Sequence, residues 1–177
     1  TTGGVKVGET TTTAPTDATT ALDAGFVGVG YIGEDGFTES PSTDTQDIVA
    51  WGGNIVRTIQ TSHSVTSSFE LIETNEQSLA LYYGDDNVTA TAADASNGNR
   101  LATLVKGTQL PRKSVVFEMY DGEVIERIYL PDAQVTERSE IQRAHGDAAR
   151  YAVTITAYPD SSGVKADIWS DDQQTTP

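Results

Sequence analysis

From Val65 to Leu71 the side chains alternate, with Val65, Phe69 and Leu71 on one parity and Thr66, Ser68 and Glu70 on the other. That is the period-2 pattern of a half-buried strand. Ahead of it, Arg57 alternates with Ile55 and Ile59, a second strand-like run following the Trp51-Gly52-Gly53 break. Behind it the period changes: Leu79, Tyr82 and Tyr83 recur every three to four residues, which predicts a short helix over about 75–83 with one apolar stripe. Thr74 and Gln77 spell T-x-x-Q, a capping box in which each satisfies an amide near the other, and Gly84 supplies the stop.

Elsewhere about ten short apolar runs are separated by turn residues, close to the roughly 8–12 residue spacing of a β-sandwich or barrel, so the class is mainly β. The clearest hairpin is Ser114 to Leu130, for which Asp121-Gly122 predicts a two-residue type I′ turn. Pairing Tyr120 with Glu123 and Met119 with Val124 places Val115, Phe117, Met119, Val124 and Ile128, with the acid Glu126, on a core face. The opposite face carries Val116, Glu118, Tyr120, Glu123, Ile125 and Arg127, reads as lumen or interface, and permits a diagonal Glu118–Arg127 pair. Two more hairpins are expected, 87–93 with 101–106 around ASNGN and 151–158 with 164–169 around PDSSG. Thr38 to Gly53 has few large apolar residues and is broken by Pro41 and Gly52-Gly53, which predicts a protruding loop or hairpin at about 34–53.

The two ends lack core-forming groups. Residues 9–20, ETTTTAPTDATT, and the final SDDQQTTP cannot bury enough surface to offset their ordering entropy. The expected organisation is a flexible arm at 1–22, one domain at 23–169 and a flexible tail at 170–177, with both ends ordering against a neighbouring subunit. The chain opens at Thr1 and its only methionine is Met119, so either the start Met has been removed or the first residues are not given, and a missing leader carries little weight.

The order Trp-Gly turn, Val-Arg strand, Ser-Phe-Glu strand and a helix opening at Glu73-Thr74-Asn75 resembles the major tail protein of long-tailed bacteriophages, the tail tube subunit. The likeness runs back through GFVGVGYIGEDGFTES and Asp47–Trp51 and forward through the β-rich second half. It implies a β-sandwich-like tail tube fold with one short flanking α-helix. It also implies rings of six subunits with a β-lined channel, stacked into a tube that conducts viral DNA into the host. Ring closure would pair sheet edges that otherwise invite aggregation. The loop before Trp51 and the Thr-rich arm would then clasp the adjacent ring. The implied place is the virion tail, assembled in the host cytoplasm. The implied partners are further copies of the chain, a tape measure protein, a terminator and tip proteins, with double-stranded DNA only as passing cargo. Tubes of contractile tails and of bacterial injection systems share the ring fold.

Charge sharpens that expectation. Twenty-six acids against eleven bases give a formal charge of −15 in 177 residues. Holding nucleic acid requires clustered Lys and Arg, so the balance argues against DNA binding and fits a surface past which DNA slides. Solubility, or a high-salt or GC-rich host, accounts for the charge equally well. With no cysteine, the chain makes no disulfides or thiolate chemistry. No apolar run approaches the roughly 20 residues of a membrane helix.

The motifs that carry chemistry elsewhere lack their context here. Gly28-Val29-Gly30-Tyr31-Ile32-Gly33 spells GxGxxG, but an acidic turn follows where a phosphate-binding helix would start, and its flanks read as strand. Its glycines fit the close approach of another element. His63 and His145 sit in polar segments without a second ligand at metal spacing or a nucleophile elbow. Glu34-Asp35, Asp85-Asp86 and Asp171-Asp172 lack the spaced oxygens of a calcium loop, and in 94–98 the glycine comes one place early. Asn87-Val88-Thr89 is a formal glycosylation sequon, relevant only in a secretory pathway. No catalytic, cofactor or metal residue emerges. The candidate subunit-interface residues are Trp51, Arg57, Tyr82 and Tyr83, with ordinary packing the alternative for Trp51 and Arg57. The alternative function is a monomeric surface β-sandwich, an adhesion or carbohydrate-binding module with Trp51, Trp169 and the tyrosines as its stacking platform.

Overall fold

The computed structural model describes residues 2–175 apart from 142, 144 and 147. Its elements run β1 (Thr2–Gly8), β2 (Val27–Gly28), β3 (Ile32–Val49), β4 (Ile55–Leu71), α1 (Glu76–Tyr83), β5 (Val88–Thr91), β6 (Arg100–Thr103), β7 (Arg112–Asp121), β8 (Val124–Arg138), β9 (Tyr151–Tyr158) and β10 (Asp167–Asp171). The fold is mostly antiparallel β with one helix, as the pattern predicts.

β8 joins the layers. Its first half lies between β7 and β10, with Ile128 opposite both Phe117 and Ile168; from Asp132 onward its neighbour on the second side is β9. The change of partner falls at Pro131, which has no amide to donate, near a register shift between Lys113 and Val115 on β7. One layer is therefore β2-β1-β7-β8-β10, the other β8-β9-β4-β3, and the path stays open as a sandwich rather than closing into a barrel.

Strict alternation fills the space between the layers. Tyr151, Val153, Ile155 and Ala157 of β9 are buried and face a core that includes Val65, Phe69 and Leu71 of β4, Val115 and Phe117 of β7, and Leu130 of β8. Phe37 stacks on Phe117 at 4.4 Å between centroids, and Phe69 meets the same ring edge-on at 5.6 Å. Leu79 and Tyr82 bring α1 onto this core.

The β7–β8 turn differs from the expected one. Asp121 pairs with Val124 and Tyr120 with Ile125, so the loop residues are Gly122-Glu123, and Gly122 alone takes a positive φ, 65°. A positive angle at the first central position belongs to a type II′ rather than a type I′ turn. The slip of two residues preserves parity, so Val115, Phe117 and Ile128 remain on the core face.

The opposite face, expected as lumen or interface, is covered over Val116, Glu118 and Arg127 by residues 17–26 and Trp169, while Tyr120 and Glu123 toward the turn stay exposed. Phe26, Val116 and Tyr129 form a second cluster with Leu22 and Trp169 against it. Glu118 and Arg127 are buried there and lie directly opposite one another, not diagonally, with Arg127 Nη2 2.6 Å from Glu118 Oε1. Lys6 Nζ reaches the other carboxylate oxygen at 2.7 Å, while Arg127 Nη1 donates to the carbonyls of Asp17 and Thr20 at 2.7 and 2.8 Å. Asp17 in turn accepts from the amides and hydroxyls of Thr19 and Thr20, and these bonds, led by the Thr20 hydroxyl, hold its carboxyl well below the ordinary range.

Three further expectations are corrected. Thr2–Gly8 is not part of a free arm but a strand paired with β7 along its length, because Val5 and Val7 alternate inward around Lys6. The 151–158 and 164–169 runs do not pair with each other: a turn at Asp160–Gly163 carries the chain away, and β10 fills the side of β8 that β9 leaves open. The capping box is Asn75 with Ser78, whose Oγ accepts from the Asn75 amide while Asn75 Oδ1 accepts from Ser78 N; Thr74 is engaged instead with the Tyr151 hydroxyl at 3.0 Å. The 87–93 and 101–106 pairing is present as β5–β6, and Gly84 ends α1.

Burial alone would push the Glu118 carboxyl up, but Lys6 and Arg127 outweigh it and hold it below its ordinary value of 4.5. Its pairing therefore stabilises the fold fully above that value, and the contribution is lost as pH falls through the depressed one. Glu118→Gln is expected to cost about 3 kcal/mol near neutrality by stranding Arg127, and to flatten the acid limb of stability measured by denaturant unfolding from pH 6 to 3. An unchanged acid limb in the variant refutes the assignment.

Candidate functional site

β3 and β4 leave the sandwich together. Val65–Leu71 of β4 pairs with β9 and alternates into the core, but Ile55–Ser64 is exposed apart from half-buried Ile59. At the usual rise per residue this free stretch extends roughly 30 Å. It pairs only with β3, from Ser42 opposite Ser64 to Val49 opposite Ile55. The two strand-like runs read in the sequence are thus one continuous strand, and the expected protrusion is a two-stranded ribbon.

Thr and Ser line the ribbon, and short cross-strand bonds stitch it: Thr58 Oγ1 donates to Asp47 and Ser62 Oγ to Asp44, each at 2.6 Å. At the tip Ala50 N donates to Asn54 O and Gly53 N to Ala50 O, both at 2.8 Å. That closed turn presents Trp51 entirely to solvent, at 107% of its reference exposure, flanked by exposed Ile48, Val49, Ile55 and Val56. Arg57 is exposed opposite Ile48 and is the single Lys or Arg in 32–71.

Of the four candidate interface residues, Trp51 and Arg57 lie together on the ribbon and the helix tyrosines do not join them. Tyr82 is a core residue: its hydroxyl donates to the Ser139 carbonyl, Arg138 lies over its ring at 5.7 Å, and Tyr151 meets it edge-on. Burial withdraws Tyr82 from any neighbour's reach. Tyr83 is half-buried against the same ring. Trp169 packs on β10 over the second cluster, so it shares no platform with Trp51. His63 and His145 are both exposed.

Two features escaped sequence reading. The first is an exposed apolar pair, Leu104 and Val105, following β6; the unalternating run LATLV was the available signal. The second is a cavity of about 290 Å³ between α1 and the ends of β1, β7 and β8. Val7, Val29, Leu81, Leu110, Val115 and Val135 line it, and Lys113, bound to both Glu9 and Asp85, stands at its rim. The GxGxxG segment helps to build this corner. Val29 N donates to Val5 O, and Gly30, at φ 100°, passes so close to Glu73 and Asn75 that a Cβ there would sit 2.6 Å from their side-chain atoms. The segment continues into β3, not into a helix.

A β-sandwich with a projecting two-stranded ribbon and an exposed apolar tip defines a structural protein that presents contact surface. The whole chain, residues 1–177, matches the family described as phage tail tube protein, and the chain belongs to that family. It is accordingly a structural component of a virion tail. Its fold is similar to a chain in the extended sheath-tube complex of the extracellular contractile injection system PVC, with a TM-score of 0.53 and 10% identity over 96% of this chain and 88% of that one. It is likewise similar to a chain of the anti-feeding prophage cap, the tube-terminating cap, with a TM-score of 0.51 and 9% identity over 96% and 88%. No curated protein sequence matches it.

If the ribbon is an appendage rather than a support, amides of Ile55–Ser64 should exchange with solvent far faster than those of Tyr151–Tyr158 in the monomer. Replacing residues 42–64 with a short turn should shift unfolding free energy by no more than about 1 kcal/mol, since the removed contacts are local and solvated. Comparable protection in ribbon and β9, read by hydrogen exchange, would contradict this.

Proposed function

We propose that the chain is the major tube subunit, six copies of which close into a ring, with rings stacking into the conduit through which viral DNA leaves the capsid. The projecting ribbon carries this reading. A two-stranded hairpin is marginal in water by itself, and this one holds five large apolar side chains in solvent at its tip. Such a surface gains stability when laid on a neighbour, as does the outer edge of β3, unpaired over Ile32–Val49 in the single chain. Family membership over the entire chain supports the same assignment.

The N-terminal segment is fixed to its own subunit through Arg127, so clasping the adjacent ring falls to the ribbon and to the tail beyond β10. Each ring gathers six chains of formal charge −15, and a share of that charge facing the bore lets DNA slide without sticking. Partners follow from the role: tape measure inside the growing tube, terminator and tip at its ends, all assembled in the host cytoplasm.

Negative-stain electron microscopy of the concentrated protein over a range of salt is expected to show hollow rings or striated tubes. The variant with 42–64 replaced should remain a folded monomer and form neither. Persistent wild-type monomers, even with tape measure and tip proteins added, would overturn the reading.

A further inference from the structure

An exposed knob and an empty apolar hole occur on the same molecule. Trp51 is held out by a turn with two internal hydrogen bonds, and nothing in its own chain covers it. The cavity beside α1 is of a size to admit one indole ring and is walled by aliphatic side chains. Seating the ring there removes on the order of 200 Å² of mostly apolar surface from water. Charge agrees in sign. From Ile48 to Arg57 the only ionisable group is Arg57, whereas the cavity is bordered by Glu9, Glu76 and Asp85 against the single cation Lys113. Glu9 and Asp85 already share Lys113; Arg57 and Glu76 have no ion-pair partner among the described residues.

We propose that the ribbon tip of one chain locks into the α1 cavity of a second copy, Trp51 filling it and Arg57 meeting Glu76. The contact is head-to-tail, so it propagates around a ring or from ring to ring, and it rests on the reading of this chain as a self-assembling tube subunit. It assigns the cavity an occupant and makes Trp51 the anchor of the interface.

Trp169→Phe leaves Trp51 as the sole indole reporter. In that background, assembly should shift the emission to the blue and lower acrylamide quenching several-fold. Ala80→Phe, which fills the cavity from the helix, should abolish both changes while the monomer keeps its circular dichroism and melting behaviour. Ala80→Leu provides the same test if the larger ring unfolds α1. Trp51→Ala should raise the concentration needed for assembly about tenfold or more, as loss of an anchor residue does. A short bis-maleimide should join N54C, at the ribbon tip with Trp51 retained, to Q77C in mixed samples. Tubes that form while Trp51 stays quenchable and the mixed cross-link is absent overturn the lock and leave the tube assignment standing. The mixed cross-link without tubes supports the lock and removes the tube assignment. Monomers without any cross-link overturn both.

Discussion

The buried ion cluster at Glu118 is the constraint on which the other arrangements depend. A carboxylate 4% exposed in the middle of a sheet is tenable only with its charge matched and its oxygens bonded. Lys6 satisfies one oxygen and Arg127 the other, and the two Nη1 protons of the guanidinium take the carbonyls of Asp17 and Thr20. The requirement to satisfy two charges therefore draws three separate pieces of chain together: the first strand, the central hairpin and a Thr-rich segment with almost no apolar content. Asp17, by binding the amides and hydroxyls that follow it, gives that segment the local turn in which its carbonyls point at Arg127.

One consequence is an uneven molecule. Around β7 and β8 both sheet faces are covered, one by the main core and the other by Leu22, Phe26 and Trp169. Past Val65 the ribbon has neither face covered and only one strand for a partner. Stability is thus concentrated at one end and contact surface at the other. On the proposed reading as a tube subunit this division is useful, since the parts that would meet a neighbour are not those that keep the monomer folded.

Much of the sandwich was legible because alternation reports burial directly: Val65, Phe69 and Leu71, and the inward set on β7 and β8, needed only period and parity. The β7–β8 register slip cost nothing for the same reason, since a shift of two residues leaves every side chain on its face. Partner choice was less legible. Nothing local in PDSSG says that the strand after it will pair with β8 rather than β9; that depends on which side of β8 is left open once Pro131 has divided it. The N-terminal segment misled because composition counts apolar area, and this segment is held by an arginine more than a hundred residues away. At the candidate site Trp51 and Arg57 were visible as residue types, whereas the cavity is assembled from seven elements and has no linear signature. Tyr82 was misplaced because a helix stripe of tyrosines looks the same facing a neighbour as facing its own core.

Charge is also divided along the chain, and this bears on which contacts the ribbon can make. Nine of the eleven Lys and Arg fall at or after Arg100, while fourteen of the twenty-six acids precede it. The ribbon belongs to the acid-rich part, with Asp44 and Asp47 on β3. Two ribbons approaching edge to edge would bring these carboxylates together, and like charges on adjacent strands oppose pairing. A tip-first approach instead presents Arg57 alone, the only ionisable group from Ile48 to Arg57, and meets no such repulsion. The long exposed edge that would otherwise template indiscriminate β-pairing is thereby biased toward one kind of encounter, ribbon onto body, the encounter that extends an assembly in a single direction.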